Sequence, residues 1–340
     1  MDILDIFNGD AFSVASLTKS INTQDHKPQR LGELGLFDEE AITTTSVAIE
    51  LDHETLKLVE NKQRGGVPQP NDQAQRKILS LVVPHLPTDD ALLADEVQNI
   101  RAFAVADQAT AQRMAVQTKV DRKLQHMRNK LEVTLEYHRI GAVKGIILDA
   151  NGTSVIYNLF YQFEVAQQVQ TLVMDTAGTD VPQKLRAATR SLETALGSTV
   201  YSRLHVLAGW SFMDKLLAHA SIKDLMKANP ADARLLREED LRYNVIRVGN
   251  IVFEEYGGTV GGITFIDPTE GYLFAEGVPG LFVTYFAPAD YIETVNTPGL
   301  PFYAKQEPKR MGKGMDMEAQ SNPLCLCTRP QSVIKLKENT

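Results

Sequence analysis

The chain has 340 residues, of which 43% are hydrophobic and 23% charged, and this balance is typical of a folded protein with one or two cores. Its formal net charge of −8 argues against a dedicated nucleic-acid binder, because phosphate contacts depend on clustered Lys and Arg. No apolar run approaches the roughly 20 residues that span a bilayer, and the N-terminus is acidic where a signal peptide is basic, so we expect a protein that stays in the cytosol.

Residues 1–40 mix short apolar groups with polar, Gly and Pro spacers, and no period persists long enough to predict a core element. We interpret this stretch as an arm whose anchor is the apolar cluster of Ile3, Leu4, Ile6 and Phe7. The alternative is a frayed terminus, which fits the sequence equally well because chain ends are often disordered.

A β-branched run from Ala41 to Leu58 alternates well enough to predict two strands, with a turn at Asp52-His53. The stretch Asn61 to Asp72 has two Gly, two Pro and no apolar pattern, which predicts an exposed loop before a strand at Lys77 to Val83. Its Gly65-Gly66 pair does not indicate a phosphate-binding loop, because such a loop must open a helix and the following Val-Pro prevents one.

The segment Pro87 to Asp90 predicts a helix start, because its Thr and Asp side chains can cap free N–H groups. Apolar residues then recur at spacings of three and four as far as Tyr137. An unbroken helix of roughly 45 residues would be about 65 to 70 Å long, so we expect an interruption near Ala106 to Ala109. The long helix carries the main basic concentration of the chain, interpreted as a solvated face: Arg113, Lys119, Arg122, Lys123, Arg128 and Lys130.

Further along, Asn151-Gly152 predicts a hairpin within Gly145 to Val165, since Asn-Gly is the strongest two-residue turn signal. The nearby Asp149 lacks the further acidic ligands of a calcium loop. Beyond this hairpin, strands and helices alternate as in a compact α/β insert. The predicted elements are a helix at Val181 to Ala195, a strand at Tyr201 to Leu207, a helix at Trp210 to Ala228 and a mixed stretch at Arg247 to Tyr256.

Nothing in the sequence forms a recognisable catalytic, cofactor or metal site. The acidic groups lie in polar contexts, so we interpret them as solvated: Asp38-Glu39-Glu40, Glu238-Glu239 and Glu254-Glu255. His205, on a strand that looks buried, is interpreted as a core residue with satisfied hydrogen bonds. Cys325 and Cys327 are too few for a zinc site and too close along a strand to bridge easily, so we expect two buried or half-buried free thiols.

The most specific stretch is EGVPGLFVTYFAPADYIETVNTPGLPFYAKQ, residues 276–306, which is rich in aromatic and turn residues. It resembles a signature of the lambda-type tailed-phage major capsid protein family (phage major capsid protein E). The resemblance continues through PKRMGKGMDMEAQSNPLCLCTRPQSVIKL, residues 308–336, and extends backward in the order of elements. Within this stretch we expect Tyr285, Phe286 and Tyr291 to be packing residues.

The resemblance implies an α+β fold of the Hong Kong 97 (HK97-like) type, with an N-terminal arm, an extended β-hairpin loop, a spine helix and an axial domain. The implied segments are the arm at 1–40, the extended loop at 41–85, a peripheral domain with the spine helix at 86–170, the axial domain at 171–297, and a return to the peripheral domain with the C-terminal strand at 298–340. It also implies contacts between subunits through the loop residues Arg64, Gly65, Gly66 and Val67 and through the arm anchor.

The function implied is that of a major capsid protein, with no enzymatic activity, no cofactor and no metal. The implied partners are further copies of the chain in hexamers and pentamers, a scaffold, a portal and possibly a decoration protein, with packaged DNA inside the virion shell and assembly in the host cytoplasm. Contact of the basic helix face with DNA or an acidic scaffold is the less favoured alternative to a solvated face. The alternative functions are a protein nanocompartment of the same fold and, less favoured, a cytosolic α/β enzyme.

Overall fold

The structure is a computed structural model that describes residues 13–23, 30–51, 77–98, 108–228 and 245–339. The helices are α1 (Val14–Thr23), α2 (Arg30–Glu33), α3 (Ala94–Gln98), α4 (Gln108–Lys144), α5 (Leu159–Gln162), α6 (Val181–Leu196), α7 (Trp210–Ala218) and α8 (Ala220–Ala228). The first strands are β1 (Asp38–Ala41), β2 (Ser46–Leu51), β3 (Lys77–Val82), β4 (Leu86–Leu93), β5 (Ile146–Leu148), β6 (Val155–Asn158), β7 (Gln168–Thr171), β8 (Arg203–Ala208) and β9 (Val245–Val248). The remaining strands are β10 (Ile251–Glu255), β11 (Thr259–Val260), β12 (Ile263–Thr264), β13 (Glu270–Glu276), β14 (Phe282–Phe286), β15 (Tyr303–Pro308), β16 (Gly314–Ser321), β17 (Pro323–Cys327) and β18 (Ile334–Lys337). This mixture of helices and sheets is the predicted α+β class.

The largest sheet has six strands in the order β7-β18-β13-β8-β10-β9, and it combines parallel and antiparallel pairs. Helix α6 packs against this sheet through Leu185, Ala188 and Leu192, which are buried at helical spacing. The start of α6 is marked by a capping residue, because the Asp180 side chain accepts a hydrogen bond from the backbone N–H of Gln183. Two three-stranded sheets, β1-β14-β17 and β15-β16-β4, lie beside the long helix.

Helix α4 is the predicted spine helix, and its 37 residues give a length of about 55 Å. Its N-terminal half buries Val116, Val120 and Leu124 in a core shared with β15, β16 and α1. Its C-terminal half buries Leu135 and Ile140 in the larger core that contains the six-stranded sheet. The spine helix therefore connects two hydrophobic cores, and the short helix α3 precedes it. Of the interruption predicted near Ala106 to Ala109, the first two residues lie outside the described ranges and the last two already belong to the spine helix.

The N-terminal prediction was wrong for part of the arm, because α1 belongs to a core. Leu17 and Ile21 of α1 are 1% and 0% exposed and pack on the spine helix. Asn22 Nδ2 donates to the carbonyl oxygen of Phe302 at 2.8 Å, and the Ala304 N–H donates to Thr18 Oγ1 at 3.2 Å. The amphipathic pattern of α1 covers only ten residues, so it does not stand out from the polar sequence around it.

The helix start predicted at Pro87 to Asp90 was also wrong, because these residues lie in β4. Strand β4 pairs with β16 over eight consecutive residues, from Leu86 opposite Ser321 to Leu93 opposite Gly314. A local capping signal of Thr and Asp is worth about 1 kcal/mol, which a full antiparallel ladder easily exceeds.

One hairpin connection and one helix differ from their predictions. The hairpin of β5 and β6 is confirmed, but Asn151 lies within a longer connection, where its Oδ1 accepts from the N–H groups of Thr153 and Ser154. The helix predicted at Trp210 to Ala228 is broken at His219, whose φ of −67° and ψ of 135° are extended, so α7 and α8 are separate. Strand β2 pairs with β3, while the predicted turn at Asp52-His53 lies outside the described residues.

Candidate functional site

A buried polar junction lies where α2 meets the spine helix and the six-stranded sheet. We call residues 30–33 the strap. Arg30, only 5% exposed, donates from Nε to Glu254 Oε1 at 2.6 Å and from Nη2 to Glu254 Oε2 at 2.8 Å. Such a two-pronged contact is the strongest geometry between a guanidinium and a carboxylate. It fixes the strap to β10.

His205 lies on the other side of Glu254. Its Nε2 is 3.3 Å from Glu254 Oε2, and its Nδ1 is 2.6 Å from Oε1 of Glu276. The imidazole stacks on the ring of Phe274, with the centroids 5.4 Å apart. Strands β8, β10 and β13 are hydrogen-bonded neighbours, and this adjacency brings the three polar residues together.

The two carboxylates decide the protonation of His205. Burial by itself would lower the pKa of this imidazole, but the hydrogen bonds and negative charges of Glu254 and Glu276 outweigh burial and raise the pKa above its ordinary value. Burial likewise acts to raise the pKa of Glu254, yet His205 and Arg30 outweigh it and lower the pKa. Arg30, Glu254 and His205 therefore form a charged chain in the protein interior.

Glu136 of the spine helix is the second contact of the strap. Its Oε1 accepts from the backbone N–H of Leu31 at 3.0 Å and from the Tyr256 hydroxyl at 3.3 Å. Its Oε2 is buried and has no hydrogen-bond partner among the described residues. Burial raises the pKa of Glu136 to about 7, against the opposing effects of the Leu31 N–H, Arg139 and Tyr256. This carboxyl group changes its charge near neutral pH.

Two further ion pairs on the same side of the spine helix flank Glu136. Arg128 Nε donates to Glu132 Oε1 at 2.7 Å, and both side chains are buried. Arg139 Nη2 donates to Glu39 Oε1 at 2.6 Å and so connects the spine helix to β1. These residues, together with Glu136, line a cavity of about 260 Å³ between α1, the spine helix and Phe302.

The structure corrects two interpretations of charged residues. Glu254 was interpreted as solvated, but it is 0% exposed because Arg30 and His205 neutralise it. Arg128 was assigned to a solvated face, but it is 5% exposed and pairs with Glu132 inside the protein. Lys123 pairs with Asp90 at 3.1 Å, whereas Arg122 and Lys130 are exposed as predicted. The spacing of four between Arg128 and Glu132 was the sequence signal that could have indicated a pair.

The burial of several other residues can be compared with the predictions. His205 is buried as predicted, but only its Nδ1 has a hydrogen-bond partner among the described residues, so the prediction of satisfied hydrogen bonds is wrong for Nε2. Cys325 and Cys327 are both buried free thiols, as expected. Phe286 is 3% exposed, while Tyr285 and Tyr291 are half-buried, consistent with packing roles. Of the acidic groups, Glu238-Glu239 lies outside the described residues.

The residues predicted to contact other subunits lie outside the described part of the chain: the arm anchor Ile3, Leu4, Ile6 and Phe7, and the loop residues Arg64, Gly65, Gly66 and Val67. The segment boundaries inferred from the resemblance likewise stay predictions. Among the residues that the structure describes, no group of three or more His, Cys, Asp and Glu side chains is arranged to hold a metal ion. No helix in those same ranges is long and apolar enough to cross a membrane.

The polar junction has no arrangement typical of a catalytic site. Arg30, Glu254 and His205 contact one another inside the core, Arg128 pairs with Glu132, and none of these described residues is a nucleophile placed beside a base. The arrangement can hold three elements of the fold together, and it can bind or release protons at His205 and Glu136. We therefore consider it a structural junction.

Comparison with known proteins identifies relatives of the whole chain. The family model for phage major capsid protein E matches residues 13–338. The major capsid protein of Pseudomonas phage KPP10 is 25% identical over 323 residues, covering 90% of this chain and 91% of the relative. The major capsid protein of Salmonella phage Felix O1 is 24% identical over 358 residues, covering 96% of each.

Two solved structures have a similar fold. A protein described as a prophage capsid protein of Escherichia coli CFT073 has a TM-score of 0.59 at 14% identity, covering 96% of this chain and 99% of that chain. A chain from the capsid of Myoviridae phage XM1 has a TM-score of 0.50 at 11% identity, covering 93% and 94%. The fold is therefore similar to that of tailed-phage capsid subunits, the HK97-like fold.

Proposed function

The chain belongs to the phage major capsid protein E family, and we propose that its copies assemble, as hexamers and pentamers, into the icosahedral shell around the DNA genome of a tailed phage or prophage. The observation that carries this proposal is the family match over residues 13–338. The similarity of the fold to solved capsid subunits supports it. Proteins of this family are structural, and we propose no catalytic role for the chain.

A shell of this kind needs a subunit that keeps one shape while making several different contacts. Contacts between unlike surfaces close into rings, and weak contacts accumulate over many neighbours. The buried junction supports such a role, because it joins the strap, the spine helix and the six-stranded sheet through side chains removed from water.

We propose that the arm anchor and the loop residues 64–67 contact neighbouring subunits. The ribbon of β2 and β3 supports the loop assignment. Its inner face packs on the core through Val47 and Leu81, while Ile78 and Val82 on the other face are 71% and 64% exposed. A two-stranded ribbon with an uncovered apolar face is marginally stable alone, and a neighbouring copy in the shell would cover it.

The remaining partners follow from the proposed assembly. We propose that a scaffold, a portal and a decoration protein take part, and that the packaged DNA is enclosed without sequence-specific binding. Assembly would take place in the host cytoplasm, and the mature location would be the virion capsid.

Sedimentation velocity and negative-stain electron microscopy test the assembly directly. The purified chain, alone or co-expressed with its neighbouring phage genes, should form large closed particles over a range of concentrations. A strictly monomeric or dimeric protein under all these conditions would contradict the proposal.

Limited proteolysis tests the loop. Trypsin should cut after Lys62 or Arg64 early in unassembled material and slowly in shells. Cleavage at Lys227, whose side chain is 76% exposed, provides a reference site in the described chain. If the rate of cleavage after Arg64, normalised to that after Lys227, is the same in unassembled material and in shells, the loop takes no part in the contact between subunits.

A further inference from the structure

The strap is a single turn of four residues, and its polar contacts with distant elements depend on groups that can gain or lose a proton. Arg30 binds Glu254, which in turn contacts His205. The N–H of Leu31 binds Glu136. The strap is thus fixed at two adjacent positions, one on the sheet and one on the spine helix.

Glu136 is the titrating group that the strap itself contacts. Its carboxyl group is buried, and Glu33 of the strap lies near enough for its negative charge to oppose ionisation of Glu136. Uncompensated charge in a buried site opposes docking of the segment that covers it.

The surroundings of Glu136 show why its ionised form is unfavourable. Its side chain is only 1% exposed, and Oε2 has no partner in the described chain, so one oxygen of the carboxylate would carry charge without a donor. A neutral carboxyl group keeps the useful bond, since Oε1 still accepts from the Leu31 N–H. Opening the strap would let water reach the carboxylate.

We propose that residues 30–33 form a proton-gated strap, which docks firmly when Glu136 carries a proton and loosens when Glu136 loses it. The strap follows α1 in sequence, so its release changes how the N-terminal segment is tied to the six-stranded sheet. α1 itself stays packed through Leu17 and Ile21. The device therefore loosens one connection and leaves the rest of the subunit folded.

Charged and titratable groups face Glu136 from several elements: Glu33 of the strap, Glu132 and Arg139 of its own helix, Glu39 of β1, Tyr256 after β10, and Cys325 of β17. His205 is faced by Glu254 of β10, Glu276 of β13, Arg30 of the strap and Arg203 at the start of its own strand. Arg139, although paired with Glu39, and the Leu31 N–H both favour the ionised form of Glu136, but burial outweighs them.

One more buried group on the spine helix titrates but does not touch the strap. Burial lowers the pKa of His138 to about 4, and the acid near enough to oppose this is Asp149, in the hairpin connection. His138 therefore influences the stability of the whole subunit without gating the strap. A measurement confined to the strap separates the two effects.

Hydrogen exchange followed by mass spectrometry at pH 6 and pH 8 tests the proposal on the full chain. Exchange of the Leu31 amide, corrected for its intrinsic rate, reports strap opening. With a pKa of about 7 when docked and the ordinary 4.5 when open, Glu136 alone should weaken strap docking, and so lower the protection, by about tenfold between these pH values.

The variant Glu136→Gln keeps an acceptor for Leu31 but cannot ionise, so the tenfold part of the change should disappear. The matched control is Glu132→Gln, one turn away on the same helix, where the carboxylate pairs with Arg128 and does not touch the strap. This control should keep the wild-type change. The variant Tyr256→Phe removes a hydrogen bond that lowers the pKa of Glu136, so the loosening should move to higher pH.

Equal protection of the strap at pH 6 and pH 8 in the unmodified chain would overturn the proposal. A Glu136→Gln chain that retains the full tenfold change would overturn it as well. Should that variant fail to fold, the outcome rests on Tyr256→Phe, where an unshifted transition contradicts the role of Glu136.

Discussion

Arg30 and Glu254 lie 224 positions apart in the chain, yet both nitrogens of the guanidinium fork reach both oxygens of the carboxylate, at 2.6 and 2.8 Å. Arg30 comes from the N-terminal region and Glu254 from the six-stranded sheet. The pair is buried, so the guanidinium and the carboxylate form hydrogen bonds with each other in place of hydrogen bonds with water. Each partner alone would be a charge without compensation in the protein interior.

Removal of Arg30 should therefore destabilise the subunit strongly. Arg30→Ala leaves Glu254 buried with only His205 beside it, and loss of one partner of a buried pair typically costs about 3 to 5 kcal/mol. Denaturant unfolding of the unassembled chain measures this loss. The control is Lys227→Ala, which breaks an exposed pair with Asp224 and should change the stability by less than about 0.5 kcal/mol. Similar midpoints for the two variants would show that the buried pair is not important.

Phe286 should be a packing residue of the β1-β14-β17 sheet. It is 3% exposed and belongs to the larger core, so Phe286→Ala should cost about 3 to 5 kcal/mol and lower the melting temperature. Ile292 is only six positions away but 91% exposed, and Ile292→Ala is the matched control with a melting curve close to that of the unmodified chain. An unchanged curve for Phe286→Ala would contradict the packing role.

Helix α1 should contribute to folding, unlike the residues before it. Leu17→Ala removes a fully buried side chain from the core on the spine helix, with an expected cost of about 2 to 5 kcal/mol. Deletion of residues 1–12 should leave a cooperatively unfolding chain, while deletion through residue 23 should lower the stability markedly. Thermal unfolding of both truncated chains gives the comparison. If the longer deletion is as stable as the shorter one, α1 is only an attachment.

The stability of the whole subunit should depend on pH through opposing groups. Glu136 has its pKa raised from 4.5 to about 7, so its favourable contribution is complete below pH 4.5 and is lost as the pH rises toward 7. His138 has its pKa lowered from 6.5 to about 4, so its contribution is complete above pH 6.5 and is lost as the pH falls toward 4. The two effects largely cancel between pH 4.5 and 6.5.

Glu136→Gln should remove this compensation. The variant should lose up to about 3 kcal/mol more than the unmodified chain when the pH falls from 6.5 to 4.5, because His138 is then unopposed. Above pH 6.5, both chains should lose stability as His205, with its raised pKa, gives up its proton. Urea midpoints across this range measure the difference. Parallel pH profiles for the two chains would contradict the assignment of Glu136.

Local patterns predicted the elements whose signals lie within a few residues. The spine helix follows from apolar spacings of three and four, and the helix predicted at Val181 to Ala195 is α6, which ends one residue later at Leu196. Where a distant strand competes with a local signal, the pattern failed, as at Pro87 to Asp90. Those residues form β4 because β16, more than two hundred positions later, provides a complete partner.

The sequence by itself determined the family, through the aromatic and turn-rich stretch of residues 276–306, and with the family the α+β class that this resemblance implies. The tertiary structure alone decided which charged residues enter the interior. The local sequence does not show that Glu254 is the buried residue of the Glu254-Glu255 pair, because the cost of burying a carboxylate depends on partners from distant parts of the chain. Arg30 and His205 become those partners only when the strap and strands β8 and β10 meet in the folded chain.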